Sequence, residues 1–255
     1  MLQTKPTEHL MGVTIQGDFL DFYNLVDSIY SMTGVEDDPN EYHYGVKKRL
    51  LGVCYDIRHG YMGDRDILLE DNGMNLDKMK ANNMITPKQN VYYSVNILFP
   101  EAIFVAAAVP RIYMYSSCYY GMRGQRGKMD LQPKSYANYL RDKSNLDVLC
   151  AGIWQALGAV IGDEEIEKII SLVQNNNESY INYAIHYIDK CNIELYKTEV
   201  SKRRDKLRNI AKRIVKKPQA YYKMEEELQY WAKEYKTNIY ELQDPKLEYP
   251  DEVEW

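Results

Sequence analysis

Apolar residues in the N-terminal half follow two different periods, which predicts strands that alternate with helices. Asp18 is a favourable helix N-cap, and the apolar residues after it recur every three or four positions, as on one face of a helix. Shorter apolar runs bounded by Gly, Pro and Asn indicate strands. The predicted strands are 11–16, 66–70 and 90–98, and the predicted helices are 19–33, 42–61, 76–82 and 102–115, the last kinked or ended by Pro110.

The C-terminal half shows helical periodicity almost throughout. Two helices are predicted at residues 146–157 and 163–173, and a long helix is predicted from about residue 178 to residue 217. A last helix at 221–235 carries a heptad-like apolar stripe. The acidic residues after it, broken by prolines, predict a loose tail.

These elements predict an α+β protein with a small antiparallel sheet packed by helices in its N-terminal half and an all-helical C-terminal half. A chain of 255 residues can form one large domain or two small ones. We predict an α+β domain at 1–120, a helical domain at 130–240 with a basic helix at 197–217, and an acidic tail at 241–255.

Charge and tyrosine content narrow the possible partners. The net charge of −5 argues against a general polyanion binder, but residues 197–217 contain ten basic and two acidic side chains. Residues 225–254 reverse this balance, with ten acidic and three basic side chains. The chain has 24 Tyr and 4 Phe. Tyrosine suits half-buried seams and binding surfaces, although a Tyr-rich source genome would explain the same count.

Cysteine usage and the missing motifs exclude several classes of protein. The cysteines form no C-x-x-C pair, which excludes a zinc ribbon and indicates reduced thiols in a cytoplasm. The N-terminus lacks a signal-peptide pattern, and the longest apolar run, 102–109, is too short to cross a bilayer. Metal-binding histidine spacings, Walker and dinucleotide glycine patterns and G-x-S-x-G are also absent. We therefore expect a cytoplasmic protein without membrane contact, metal or cofactor.

Several short motifs occur in the same order as in a family of bacterial proteins of unknown function. The motifs are GVTIQGD at 12–18, LGVCYDIRH at 51–59, GDR at 63–65 and DNGM at 71–74, followed by the strand at 90–99. The chain resembles that family over roughly its first 110 residues. The resemblance implies no activity, and the basic helix and the acidic tail lie outside it.

The first candidate site is CYDIRHGYMGDRD at residues 54–66. On a helix Asp56 and His59 share a face, so the carboxylate could orient the imidazole for acid–base chemistry. Arg58 beside them could bind phosphate. The alternative is a glycine-terminated helix end in which Arg58 and Arg65 pair with neighbouring aspartates.

The second candidate is a glycine-rich loop at residues 116–128. Arg123, Arg126 and Lys128 alternate with glycines beside two tyrosines, a composition that suits single-stranded nucleic acid through phosphate pairing and base stacking. The alternative is a linker between the two halves of the chain.

The third candidate is the basic helix. Its cations surround an apolar stripe and suit a nucleic-acid backbone, an acidic partner helix or, less well, a membrane surface. These cations are Arg204, Arg208, Lys212, Arg213 and Lys216. The alternative is a helical hairpin in which the carboxylates at 225–234, just after Pro218, neutralise them.

We therefore expect a non-enzymatic intracellular accessory or regulatory protein that engages a nucleic acid or a nucleoprotein complex, as in bacterial defence or a mobile element. One alternative is a metal-independent nuclease or related phosphoryl-transfer enzyme that uses His59 as acid–base, Asp56 to orient it and Arg58 on the phosphate. Another is a structural homo-oligomer joined through its tyrosine and heptad stripes. A protein partner is compatible with the first and last of these.

Overall fold

Four antiparallel strands form one sheet near the N-terminus, as predicted. The computed structural model describes residues 2–34, 42–116, 120, 135–175, 180–250 and 252–255. The strands are β1 (Gln3–Pro6), β2 (Gly12–Gly17), β3 (Asp66–Asp71) and β4 (Gln89–Leu98), in the order β1-β2-β4-β3. The short β1 was not predicted. In this strand order, β3 lies at one edge of the sheet and β1 at the other.

Helices form most of the other described residues, so the α+β class is confirmed. Asp18 caps the first helix, since its carboxylate accepts a hydrogen bond from Asp21 N–H and the Asp21 carboxylate accepts one from Asp18 N–H. The helices are α1 (Phe19–Thr33), α2 (Tyr44–His59), α3 (Leu76–Ala81), α4 (Phe99–Ser116), α5 (Tyr136–Ile161), α6 (Asp163–Asn175), α7 (His186–Tyr196), α8 (Val200–Lys216) and α9 (Gln219–Tyr235), with a π-helical turn at Gly60–Asp64 and a 3-10 turn at Ile239–Glu241.

Pro110 lies on the exposed side of α4, and the helix continues past it to Ser116, one residue beyond the predicted end at residue 115. The long helix predicted at 178–217 is wrong, because the chain breaks between α7 and α8. There the buried Arg203 donates to the carbonyl of Thr198 at 3.0 Å and to that of His9 at 2.6 Å. The break is thus held by the turn between β1 and β2.

The core lies between one sheet face and the helices. Val13, Ile15, Val95 and Ile97 are buried on that face. At the sheet edge β1 packs on α5, where the Thr4 hydroxyl donates to the Gly152 carbonyl at 2.8 Å. Buried side chains of both halves of the chain form one continuous cluster. The predicted boundary between residues 120 and 130 falls outside the described residues, and the division into domains stays a prediction.

The C-terminal residues pack against the fold, unlike the loose tail that we expected. The Tyr249 hydroxyl donates to Asp189 at 2.7 Å and accepts from the Asn192 amide at 2.8 Å. Trp255 lies against Gly12, where a Cβ would come within 2.9 Å of the indole ring and 2.2 Å of the Ile97 carbonyl oxygen. Because any side chain at this position would collide with these groups, Gly12 at the start of β2 is what allows Trp255 to pack here.

One described helix, α5, is long and apolar enough to cross a bilayer, although no single run of its residues suggested this. Of its most apolar window, 56% is buried inside the fold. A central core helix passes the same test of length and composition.

Candidate functional site

The segment 54–66 consists of a helix end, a π-helical turn and the first residue of a strand. Gly60 lies under Phe22 and Val95, and a Cβ there would come within 2.9 Å of both side chains. Gly63 has a φ of 90°, a backbone conformation that favours glycine, and it directs the chain into β3. Both glycines therefore have structural reasons, and a glycine-bearing helix end is present.

The π-helical turn gives the charged residues of this segment different partners from those expected on a regular helix. His59 Nδ1 lies 2.7 Å from Asp64 Oδ2, and Arg65 donates to Asp56 Oδ1 at 3.0 Å. The expectation that Asp56 orients His59 is therefore wrong, because the turn brings Asp64 back to the imidazole instead. Arg65 pairs with a neighbouring aspartate, as in the structural alternative, whereas Arg58 has no ion pair with a described aspartate.

Arg58 contacts aromatic side chains of α1 and α2. Its guanidinium donates to the Tyr30 hydroxyl at 3.3 Å and lies 5.6 Å from the centre of the Tyr55 ring. The group expected to bind phosphate is thus engaged by α1 and α2.

A cleft of about 1090 Å³ opens beside this segment, between α2, β4 and the C-terminus, and we call it the β4 cleft. Its wall includes Asp56 but not His59 or Arg58. The charged lining is four carboxylates and one guanidinium, which makes the cleft acidic. These residues are Asp56, Asp64, Asp66, Glu101 and Arg65. An acidic cleft repels a phosphate ester, so its charge disfavours phosphoryl transfer.

The described cysteines do not provide a nucleophile. Cys54, Cys150 and Cys191 are all buried, and burial raises the pKa of each thiol to about 12. At neutral pH these thiols are protonated, whereas a nucleophilic cysteine reacts as the thiolate. Within the described part of the chain, no group of three or more His, Cys, Asp or Glu side chains could hold a metal ion.

A second cleft, of about 1030 Å³, adjoins the first at Gly52 and Glu101. Arg49 forms its floor, donating to Asp189 at 2.5 Å and to the Ile185 carbonyl at 2.9 Å. Burial raises the pKa of Glu101 even though Arg49, 3.4 Å away, opposes this shift. The network joins α2, α4 and α7, and paired buried charges of this kind fix the positions of packed elements.

The basic helix α8 is a packed helix, and three of its cations have partners on neighbouring helices. Lys212 donates to Glu165 at 2.7 Å, while Arg213 and Lys206 donate to Glu194 at 2.5 and 2.9 Å. These carboxylates belong to α6 and α7. Neutralisation inside the chain is therefore present for these three cations, but their partners are not the carboxylates after Pro218 that the hairpin alternative named.

The other residues predicted to contact nucleic acid differ in whether they have an ion pair inside the protein. Arg208 lies 3.3 Å from Asp205, one helical turn before it. Arg204 and Lys216 are exposed, and neither has an ion pair with a residue that the structure describes. Arg123, Arg126 and Lys128 lie outside the described residues. Two cations of α8 therefore stay available to an external anion.

An exposed apolar surface, which sequence reasoning missed, extends over the edge of the sheet. Ile67 and Leu69 of β3 face the same side as their partners Tyr93 and Val91 of β4. Further along β4 this side is buried, with Val95 exposed by 3%, whereas Ile67, Leu69 and Val91 are exposed by 52%, 61% and 46%. The sheet face is covered along one half and bare along the other.

Aromatic side chains continue this surface onto α1. Phe19, Tyr23 and Tyr61 form one cluster, with ring centroids 5.4 to 6.3 Å apart. Phe22, on the same helix, contacts Tyr93 of β4 with ring centroids 6.4 Å apart. We call the apolar face of β3 and β4 together with this aromatic cluster the β3 surface. Its exposed members are Phe19, Tyr23, Ile67, Leu69 and Val91.

Comparisons with known proteins identify the family and leave the activity open. No curated protein and no solved structure matches the chain. The model of a family described as a domain of unknown function, DUF6904, matches residues 2–255. It thus includes the basic helix and the acidic C-terminus, which the motif resemblance did not reach. The chain belongs to the DUF6904 family.

Proposed function

We propose that this chain acts by binding a partner protein at the β3 surface. The observation that carries the proposal is the contrast along one sheet face, where Val95 is buried and Val91, Ile67 and Leu69 are not. Contiguous apolar surface of this kind is uncommon on monomeric proteins and marks sites of association. Aromatic residues such as Phe19 and Tyr23 are also enriched where partners bind tightly.

Charge indicates which kind of partner fits. In β3 the apolar positions are flanked by Asp66, Glu70 and Asp71, all exposed. A second copy that paired with β3 about the central Leu68 would place Asp66 opposite Glu70, and like charges directly opposite are destabilising. Edge pairing of two copies through β3 is therefore disfavoured. On the face of Ile67 and Leu69, the exposed Asp71 borders the apolar side chains, which favours a different protein with an apolar patch bordered by Lys or Arg.

Paired affinity purifications from the native host test this proposal. The double variant Ile67→Lys, Leu69→Lys places two charges on the bare face, and both positions are exposed, so the fold is retained. Each side chain contributes about 1–1.5 kcal/mol on burial, so the specific partner should bind about 30- to 150-fold more weakly. Val148→Lys, an exposed valine on α5, is the matched control and should keep the partner.

Two outcomes contradict the proposal. One is equal recovery of every bound protein by the double variant and by Val148→Lys. The other is self-association in analytical ultracentrifugation that the double variant abolishes, which would make a second copy the occupant of the β3 surface. A homo-oligomer joined instead through the stripe of α9, where Trp231 and Tyr235 are exposed and stacked, would survive the double variant.

Nucleic acid is the second candidate partner, and it is favoured by Arg204 and Lys216, which are exposed and have no ion pair within the described part of the chain. Backbone binding through these cations should weaken steeply with salt and weaken further in Arg204→Gln, Lys216→Gln. An affinity that does not change with salt would remove this candidate. The nuclease alternative has less support, since His59 does not line the acidic cleft beside it. A bacterial, cytoplasmic accessory role in defence or in a mobile element is proposed from motif resemblance and cysteine usage alone.

A further inference from the structure

The β4 cleft contains an open sheet edge. On one side β2 pairs with β4 from Gly17 opposite Tyr93 to Gly12 opposite Leu98. On the other side β3 pairs with β4 only from Gln89 to Ser94, because the chain before Asp66 leaves the sheet as the π-helical turn. Among the residues that the structure describes, 95–98 of β4 therefore have a strand partner on one side only, and they line the cleft.

Hydrogen bonds that flank the strands show which backbone groups face the open side. Phe99 N–H donates to the Met11 carbonyl, and Asn72 N–H donates to the Lys88 carbonyl. In an antiparallel ladder the bonded pairs alternate, so Val95 and Ile97 bond to β2 while Ser94 bonds to β3. Asn96 must then present its backbone N–H and C=O to the cleft, where no described residue pairs with them.

The walls of the cleft determine what could occupy this edge. Tyr55 and Asp56 of α2 form one wall, and Trp255 forms another. Asp66, the first residue of β3, lies beside the open edge. Asp66 is exposed and has no ion pair among the described residues, unlike Asp56, which holds Arg65. The backbone edge suits an extended peptide, and the Asp66 carboxylate suits a cationic side chain.

We infer that the β4 cleft binds an extended peptide as an added β-strand against Asn96, with a Lys or Arg side chain directed to Asp66. The site is independent of the β3 surface, because Ile67 points to the opposite face of the sheet from Asp66. The added strand would continue the line of β3 along β4, so its backbone would complete hydrogen bonds that the protein leaves unmade.

Amide hydrogen exchange with synthetic peptides tests the inference on the full chain. The probes are two short peptides that alternate valine with either lysine or glutamate. In the free protein the Asn96 amide should exchange faster than the Val95 and Ile97 amides, which are bonded to β2. Saturation with the lysine peptide should slow exchange at Asn96 by about tenfold or more, and the glutamate peptide should bind at least about tenfold more weakly.

Variants of β3 separate charge recognition from general effects. Asp66→Lys should weaken the lysine peptide by about tenfold, whereas Glu70→Lys, on the same face and strand but away from the cleft, should change its affinity less than about twofold. Ile67→Lys should not affect peptide binding, so loss of the β3-surface partner and loss of the peptide site are distinguishable.

Three results would overturn the inference. The first is an Asn96 amide that is already protected in the free protein. The second is equal affinity for both peptides, which would remove the role of Asp66. The third is the absence of any effect of either peptide on exchange at Asn96, even if the peptides bind elsewhere.

Discussion

Replacing Arg213 of α8 tests whether the basic helix is structural. Arg213 donates to Glu194 at 2.5 Å, and both side chains are about one-third exposed, at 31% and 32%. A buried hydrogen bond to a charged group contributes about 1.5–3 kcal/mol, and an exposed ion pair about 0–1 kcal/mol. At this intermediate exposure Arg213→Gln should lower the free energy of unfolding by about 1–2 kcal/mol.

Urea unfolding followed by far-ultraviolet circular dichroism measures the loss. For a chain of this size each kcal/mol corresponds to about 2–4 °C in Tm, which gives a second readout. Arg204→Gln is the matched control, because Arg204 lies on the same helix, is exposed and has no ion pair among the described residues. It should change the free energy of unfolding by less than about 0.5 kcal/mol.

A different pattern would refute the reasoning. If both variants were equally stable, Arg213 would not hold α8 to α7, and its charge would be available for an external partner. If both variants also weakened nucleic-acid binding equally, α8 would be a binding helix, as its composition first indicated. The structural account requires unequal effects on stability.

Three further predictions concern a buried carboxylate, an ion-paired carboxylate and a glycine. Asp142 is fully buried and accepts hydrogen bonds from Ser28 and Tyr120, so Asp142→Ala should destabilise by about 3–5 kcal/mol in urea titrations and Asp142→Asn by less. Burial raises the pKa of Glu194, but its hydrogen bonds to Lys206 and Arg213 outweigh this and lower it below 4.5. The stability from Glu194 is therefore present above pH 4.5 and lost as pH falls through the lower, folded-state pKa; Glu194→Gln should flatten Tm in that acidic range. Gly12→Val should lower Tm sharply in calorimetry, since its Cβ would meet the Ile97 carbonyl oxygen at 2.2 Å, whereas Gly52→Ala, with its nearest atom at 3.6 Å, should have little effect.

The local pattern of the sequence predicted the elements whose causes are local. The helical period and the N-cap at Asp18 predicted α1, and the alternation near residue 95 predicted β4. The break between α7 and α8 could not be predicted, because it depends on a bond from Arg203 to His9, which is 194 positions away. The short strand β1 could not be predicted for the same reason, because its four residues form a strand only by pairing with β2.

In the candidate site, too, the features with local causes were predicted and those that depend on distant contacts were not. The charged residues of 54–66 were recognised, but their pairing was wrong because a π-helical turn, which has no clear sequence signal, brings Asp64 to His59. The β3 surface was missed for a different reason. Ile67 and Leu69 have the composition of a buried strand, and their exposure depends on how far α1 and α2 extend over the sheet.

The central claim is that the β3 surface binds a different protein, and site-specific photo-cross-linking in the native host tests it most directly. A photoreactive amino acid at position 67 should give an adduct with one partner protein, while the same group at position 148 should not. The claim is contradicted if position 67 gives no adduct, or if its only adduct is a second copy of this chain.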